Sequence, residues 1–128
     1  ESVVFGRLAM GETCAAGDFR DRWRVRRAGK LIFAEDTRLE TPAGLLDRPA
    51  IGAGARALAT LLYVAPDASA RLDECRAALE GAPCESGVSA LDGFLVARLL
   101  SPSPESLRLA ILSLFSHLLG RAAPRVWQ

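Results

Sequence analysis

The run from Phe19 to Arg27 constrains the fold of this chain more than any other stretch of it. Every second residue in the run is an arginine, at positions 20, 22, 24 and 26. The positions between them carry Phe19, Asp21, Trp23 and Val25. Successive side chains of a β-strand point to opposite faces of a sheet, so a period of two is typical of a strand. The run therefore predicts a strand with one aromatic face and one arginine face.

A second strand is predicted from Lys30 onward, and the two strands are expected to form a hairpin. A tight two-residue loop would place Arg24 opposite Phe33 and would mix charged with apolar side chains on one face. A three-residue loop with Gly29 at positive φ, as a bulge, keeps the two faces separate, so we expect this register. The pairs expected to face each other are Val25 and Leu31, Trp23 and Phe33, Asp21 and Glu35, Arg20 and Asp36, and Arg22 and Ala34.

This register also predicts which side chains of the hairpin are buried. The side chains expected to be buried are those of Trp23, Val25, Leu31 and Phe33. The side chains expected to be exposed are those of Arg22, Arg24 and Arg26. Two carboxylates, Asp21 and Glu35, then lie on the otherwise apolar face, which makes them candidates for a binding role.

Composition and charge narrow the class of protein. The chain has 128 residues, of which 50% are hydrophobic, and this predicts one folded domain and excludes intrinsic disorder. A net charge of +1 provides no overall field for nucleic acid or an anionic membrane, so we expect neither partner. Three cysteines lack zinc-type spacing, and neither a run of transmembrane length nor a signal peptide is found. We therefore expect a reducing, cytoplasmic location.

The rest of the chain carries an order of strand and helix signals typical of an α+β protein with mainly antiparallel strands. Ser103, Pro104 and Gly120 are an N-cap, a first helical residue and a stop for the last helix. Residues 55–120 follow the order of half a ferredoxin-like fold. A strand predicted at 1–12 completes a three-strand β segment over 1–40, and a connector is predicted at 41–54. A strand at 55–65, a helix capped by Asp67, strands at 85–91 and 93–100, and a helix at 104–119 are predicted to follow. The tail at 121–128 is predicted to be extended and anchored by Trp127.

Three stretches of the sequence resemble a known family. They are ESVVFGRLAMGE, DRWRVRRAGKLIFAEDTRL and the closing PRVWQ, and the match runs in order from Glu1 to Gln128. Together they resemble the UreD family of urease accessory proteins, called UreH in some organisms. The chain corresponds to the C-terminal half of that family and begins in mid-strand without Met, so we expect a fragment or a processed chain. The resemblance implies a layered, mainly β fold with helices near the C-terminus.

The resemblance also implies a function without catalysis. UreD-like proteins bind apo-urease and the accessory protein UreF, and through UreF they reach the GTPase UreG, which carries nickel. The chain is then expected to be a scaffold that helps deliver nickel to the urease active site. The residues alone agree that no catalytic site is visible, because His117 is the only histidine. A small-molecule enzyme is another hypothesis, and the lack of a visible catalytic site argues against it.

The candidate metal ligands are Asp21, Glu35 and Glu12. Nickel(II) accepts carboxylate and water ligands, and a passage for such an ion needs weak, sparse oxygen ligands. We therefore expect no tightly bound cofactor and only transient nickel(II). The alternative is that these are ordinary carboxylates at the ends of the hairpin, paired with Arg20, Arg38 or Arg7.

The last helix carries more leucines than one buried face requires. Leu109, Leu112 and Leu119 lie outside the centre of its apolar stripe. Leftover apolar residues along one helix indicate a second covered face. The cover could be the missing N-terminal half, a second copy or UreF, and we expect an interface with UreF or a second copy. The alternative function is a free-standing α+β interaction domain that dimerises through this helix.

Overall fold

Antiparallel strands dominate the structure, a computed structural model that describes residues 1–7, 10–12, 14, 16–120 and 123–125. The strands of these residues are β1 (Ser2–Val4), β2 (Asp18–Arg27), β3 (Lys30–Glu40), β4 (Ala57–Val64), β5 (Glu85–Leu91) and β6 (Phe94–Ser101). Their α-helices are α1 (Pro42–Leu46), α2 (Leu72–Leu79) and α3 (Pro104–Leu119), and a 3-10 helix spans Ala68–Arg71. The predicted α+β class is confirmed.

The chain divides into two compact units, which are described separately. The sheet unit comprises Glu1–Val4 and Ala55–Gln128, and the hairpin unit comprises Phe5–Gly54. The prediction of a single domain stays a prediction. The proposed tail anchor Trp127 lies outside the described residues.

The hairpin unit is organised by β2 and β3, whose register differs from the predicted one. Ala28 (φ 48°) and Gly29 (φ 78°) form a tight two-residue turn, so the positive φ predicted for Gly29 is confirmed. The predicted three-residue loop is wrong. The register shifts between Val25 and Arg26, because Ile32 is an extra residue in β3. The observed pairs include Val25 and Phe33, Arg24 and Ala34, Trp23 and Glu35, Arg22 and Asp36, Asp21 and Thr37, and Arg20 and Arg38.

The bulge preserves the two faces that the alternation predicts. A tight turn alone would have put charged residues opposite apolar ones, and the extra residue at Ile32 restores the match. The arginines at positions 22, 24 and 26 are exposed as predicted, while Trp23, Val25 and Phe33 are half-buried and not fully buried as predicted. The burial predicted for Leu31 is wrong: its side chain is 42% exposed. Leu31 lies on the turn side of the bulge and pairs with Arg26, so it shares the arginine face.

Aromatic contacts pack the other face of the hairpin unit. The rings of Trp23 and Phe33 meet edge to face with their centroids 6.1 Å apart. Phe5 is 5% exposed and meets Phe19 in the same way at 5.2 Å. In the described part of the predicted strand at 1–12, only Ser2–Val4 is a strand, because Gly6 takes a φ of 93° and turns the chain out of the extended conformation.

The predicted connector at 41–54 contains a short helix. Pro42 occupies the first turn of α1, where its missing N–H costs nothing, and Leu46 at its end is 2% exposed. The chain then turns back, so that the Gly54 N–H donates to the Leu46 carbonyl at 2.9 Å. The backbone of Gly52 passes close over Leu46, where a Cβ atom would lie 2.6 Å from the same carbonyl oxygen. The connector is therefore folded around Leu46.

The sheet unit holds the four-stranded sheet in the order β1-β4-β6-β5. Both β4 and β5 pair antiparallel with β6, so they point in the same direction with β6 between them. This is the split β-α-β arrangement of the predicted ferredoxin-like half. The predicted strand at 1–12 supplies only β1, which pairs with β4.

The core of the sheet unit lies between one face of the sheet and the helices α2 and α3. Its buried members include Ala57, Ala59, Leu95, Ala97, Leu99, Cys75, Leu79, Leu107, Ile111, Leu114 and Leu118. The predicted caps of α3 are confirmed: the Ser106 N–H donates to the Ser103 hydroxyl at 3.3 Å, and Gly120 is left-handed. The prediction that Asp67 caps a helix with its side chain is wrong, because that side chain makes no capping hydrogen bond.

Asp67 instead links two neighbouring side chains. It accepts hydrogen bonds from the Tyr63 hydroxyl and the Arg71 guanidinium, both at 3.0 Å. The 3-10 helix follows it, and α2 begins at Leu72, five residues after Asp67. The carboxylate was therefore not available for the predicted N-cap.

Candidate functional site

The predicted metal ligands Asp21 and Glu35 lie on the same half-buried face of the hairpin. They are not directly opposite each other as expected. Asp21 faces Thr37 and Glu35 faces Trp23, so the two carboxylates are diagonal neighbours. Diagonal neighbours on one face have Cβ atoms about 7 Å apart, close enough for long side chains to act on one ligand.

Each carboxylate is held by the residue two positions further along its own strand. The Trp23 indole Nε1 donates to Asp21 Oδ2 at 2.7 Å, and the Thr37 hydroxyl donates to Glu35 Oε1 at 3.1 Å. Residues two apart on a strand point to the same face, and this spacing makes both contacts possible. Each contact fixes one carboxylate oxygen.

This arrangement suits a weak site better than a tight one. Among the described residues, no group of three or more His, Cys, Asp and Glu side chains is placed to hold a metal ion. Two fixed carboxylates offer hard oxygen ligands, and an ion held by only these two keeps most of its water. Two such oxygen ligands alone would bind a divalent ion weakly.

Glu12, the third predicted ligand, is engaged elsewhere. Arg7 donates two hydrogen bonds of 2.6 Å to the Glu12 carboxylate, from Nε and Nη2. Such a bidentate pair engages both carboxylate oxygens. Glu12 would have to release Arg7 before it could bind an ion.

The arginine face of the hairpin is organised by Asp36. Arg20 donates to it through two nitrogens at 2.9 and 2.7 Å, and Arg22 adds a third contact at 3.0 Å. The hydrogen bonds and charge of these arginines lower the pKa of Asp36 to about 2, against a smaller desolvation effect that raises it. Arg38 pairs with Glu40 at 3.1 Å. Arg20 and Arg38, two of the suggested partners for Asp21 and Glu35, thus hold other carboxylates.

The second candidate surface is the outer side of α3. Leu109 is 54% exposed and Leu119 is 36% exposed, while Leu112 is half-buried. The buried stripe of the helix runs through Leu107, Ala110, Ile111, Leu114 and Leu118. Leu109 and Leu119 thus lie outside the stripe as expected.

The remaining reactive side chains take structural places. His117 is exposed at the end of α3, with Nδ1 2.8 Å from the Ser113 carbonyl oxygen. Cys75 is fully buried among the apolar side chains of the core, and burial raises the pKa of its thiol. Burial raises the pKa of the Cys84 thiol as well, and a raised pKa disfavours the reactive thiolate at both positions.

Sequence reasoning missed the two residues that hold the carboxylates. Trp23 was interpreted as core alone, and Thr37 was given no role. The signal was present in the alternation, because Asp21-x-Trp23 and Glu35-x-Thr37 each put a donor beside a carboxylate on one face.

Comparisons with known proteins agree with the resemblance found in the sequence. The family model described as "UreD urease accessory protein" matches residues 1–128. A protein named "Urease accessory protein UreD" from Xanthobacter autotrophicus is 52% identical over 99% of this chain and 44% of that protein. Proteins of the same name from Azorhizobium caulinodans and Beijerinckia indica are 50% and 54% identical, over 99% and 88% of this chain and 47% and 43% of their own lengths.

The chain spans about half the length of the curated relatives it matches. None of the helices in the described ranges is long and apolar enough to cross a membrane. A family model that matches from the first to the last residue, together with relatives at about half identity, establishes the family. The chain therefore belongs to the UreD family of urease accessory proteins.

Proposed function

We propose that this chain is part of a scaffold for urease maturation, which binds apo-urease and UreF and, through UreF, the nickel-carrying GTPase UreG. Membership of the UreD family carries this proposal. The scaffold acts without catalysis of its own and works in the cytoplasm. Its task is to hold urease and the nickel donor together while nickel passes between them.

The hairpin face with Asp21 and Glu35 is proposed as part of the nickel path. Both carboxylates are half-buried, and each accepts a hydrogen bond from a neighbour on its own strand, which supports a defined ligand position. Two oxygen ligands hold nickel(II) weakly, so the ion is released as easily as it is taken up. A path built in this way transfers nickel without retaining it.

Replacing both carboxylates tests the path. The double variant Asp21→Asn and Glu35→Gln keeps the size of the side chains and removes the charge that attracts nickel. We expect urease activation to fall severalfold while the complex with UreF and urease still forms. The measurement is urease activity and nickel content per urease, with pull-down of the complex from the same cells.

The same hairpin offers a matched control for this variant. Asp18 and Glu40 are opposite each other at the far end of the arginine face, and both are exposed. The double variant Asp18→Asn and Glu40→Gln removes the same charge and should leave activation unchanged. Equal losses in both variants would show a general charge effect, and unchanged activation in the first would refute the path.

The exposed leucines of α3 are proposed as a contact for UreF. Leu109 and Leu119 project outside the buried stripe, so changing both to glutamate adds charge without opening the core. We expect the double variant to lose UreF in a pull-down and to keep its circular dichroism spectrum. Ser116→Glu, at an exposed position of the same helix, is the control.

The same experiment decides between UreF and a second copy. If Leu109→Glu with Leu119→Glu leaves UreF bound but turns a dimer into a monomer in analytical ultracentrifugation, the helix is a homodimer contact. That result would favour the alternative function, an interaction domain that dimerises through α3. A variant that unfolds would place both leucines in the core and end the interface proposal.

A further inference from the structure

The strand β1 covers only part of the strand beside it. β4 has 8 residues and pairs with β6 along its whole length. On its other side it pairs with β1 only from Ala57 to Ala59, opposite Val4 to Ser2. Within the described ranges, residues 61–64 of β4 have no strand on that side. Half of one edge of β4 is therefore without a neighbour.

The ladder between β1 and β4 continues as far as Glu1. The Glu1 nitrogen donates to the Thr60 carbonyl at 2.8 Å, and the Thr60 N–H donates to the Glu1 carbonyl at 3.1 Å. Two residues that exchange both bonds are a hydrogen-bonded pair of an antiparallel ladder, and such pairs alternate with non-hydrogen-bonded ones. By this alternation, Leu62 and Val64 point their N–H and C=O groups to the same side as Thr60. No hydrogen bond from the described residues reaches those groups.

The unpaired part of β4 has the sequence of an inner strand. Residues 61–64 are Leu, Leu, Tyr and Val, and the strand has neither the charge, the proline nor the bulge that protects exposed edges. Beside β1, Ala57 and Ala59 are 0% and 6% exposed, whereas residues 61–63 are half-buried and Val64 is 40% exposed. The residues opposite them on β6, 94–97, are all buried. The loss of burial along β4 thus begins where β1 ends.

The relatives of this chain indicate what lies beside residues 61–64. The chain corresponds to the C-terminal half of UreD proteins and covers 44% of the relative from Xanthobacter autotrophicus. In such a protein, a residue joined to Glu1 enters the ladder opposite Leu61. A strand that simply continues requires no loop closure, so it forms at a low cost in chain entropy. Any other segment would have to displace this residue from its place beside β4.

We propose that the four residues that precede Glu1 in the full-length protein continue β1 along β4. Together with Glu1–Val4 they form a strand that matches the 8 residues of β4. The register of β1 fixes the pairs, so the second preceding residue exchanges hydrogen bonds with Leu62 and the fourth with Val64. The first and third lie opposite Leu61 and Tyr63.

This continued strand makes one sheet common to both halves of the protein. The sheet unit is then completed by residues from the N-terminal half, which argues against a free-standing interaction domain. The proposal does not depend on the maturation role. A protein that fails to activate urease can still carry the continued strand, so the two ideas are tested separately.

Hydrogen exchange of the unmodified full-length protein is the first test. The Leu58 amide faces β1 in the pair with Val3, so it is the reference for a paired position. We expect the Leu62 amide to exchange within about tenfold of the Leu58 rate, since both would be bonded to the same strand. A Leu62 amide that exchanges as fast as an unfolded peptide would overturn the proposal.

Engineered cysteines identify which segment pairs with β4. Leu61 and the first preceding residue form a non-hydrogen-bonded pair, whose Cα atoms lie about 4.5 Å apart, within the range for a disulfide. In the full-length protein, Leu61→Cys with a cysteine at the first preceding position should form this disulfide on mild oxidation. Peptide mapping by mass spectrometry distinguishes it from bonds to the native cysteines.

The matched control moves the second cysteine by one residue. Leu61→Cys with a cysteine at the second preceding position places the two side chains on opposite faces of the sheet, so its yield should be severalfold lower. Equal yields, or no disulfide in the first variant, would overturn the proposal. A protected Leu62 amide without that disulfide would show that another segment pairs with β4, and it would overturn the proposal too.

Discussion

Replacing Leu114 by alanine should destabilise the protein by about 2–5 kcal/mol, the range for a large apolar side chain removed from a core. Leu114 is 0% exposed and lies in the middle of the face of α3 that packs on the sheet. The expected loss of stability combines the lost transfer free energy of the side chain with the cost of the cavity left behind. The shift of the urea unfolding midpoint, at an unchanged slope, measures it.

The same helix supplies a control with the same chemical change. Leu109 is 54% exposed, so Leu109→Ala should change the free energy of unfolding by less than about 0.5 kcal/mol. Helix propensity differs little between the two sites, because both lie inside α3. Similar losses at both positions would contradict the placement of the buried stripe.

The second large effect is expected at Gly52, in the folded connector. A Cβ atom there would lie 2.6 Å from the Leu46 carbonyl oxygen and 2.9 Å from its Cα. These are backbone atoms, so the clash cannot be relieved by a rotamer change. Gly52→Ala should destabilise the hairpin unit by about 1–3 kcal/mol, the usual cost of overpacking, measured by urea unfolding.

Gly44 is the matched control for Gly52. It lies in α1, and a Cβ atom there would meet nothing within 4 Å. Gly44→Ala should therefore be neutral or should stabilise by up to about 1 kcal/mol, since alanine restricts the unfolded chain. A Gly52→Ala protein as stable as Gly44→Ala would contradict the close packing of the connector over Leu46.

Local signals predicted the bounds of α3 well. Ser103 caps α3, Pro104 begins it and Gly120 ends it, and each acts through contacts within a few residues of its own position. The order of elements from β4 to α3 follows from the same kind of signal. A strand or helix whose ends are set by its own neighbours can be located from the sequence.

The hairpin register could not be found in the same way. Both the predicted bulge at Gly29 and the observed one at Ile32 keep arginine and aromatic side chains on separate faces. Ala28 decides between them by accepting a φ of 48°, which is unfavourable for alanine and has no mark in the sequence. Moving the bulge changes the cross-strand partner of Asp21 from Glu35 to Thr37. The two carboxylates of the candidate site are then diagonal neighbours and not directly opposite each other.

The function rests on the family more than on the geometry of any one site. The motif around Arg7 and the arginine run pointed to the UreD family, while Asp21 and Glu35 alone favoured no activity. Residues that bind an ion weakly and transiently have no distinctive pattern in the sequence or the structure, because they need neither a third ligand nor a buried charge. This is why the residues of the path remain a proposal although the family is established.

Urease activation tests the central claim most directly. A host without urease genes would express urease, UreF, UreG and the remaining accessory proteins, with or without the protein that contains this chain. Urease nickel content and activity are then measured on equal amounts of purified urease. We predict that urease made without it is assembled but nearly free of nickel and inactive, and that adding it restores both. Full nickel content and activity in its absence would contradict the account.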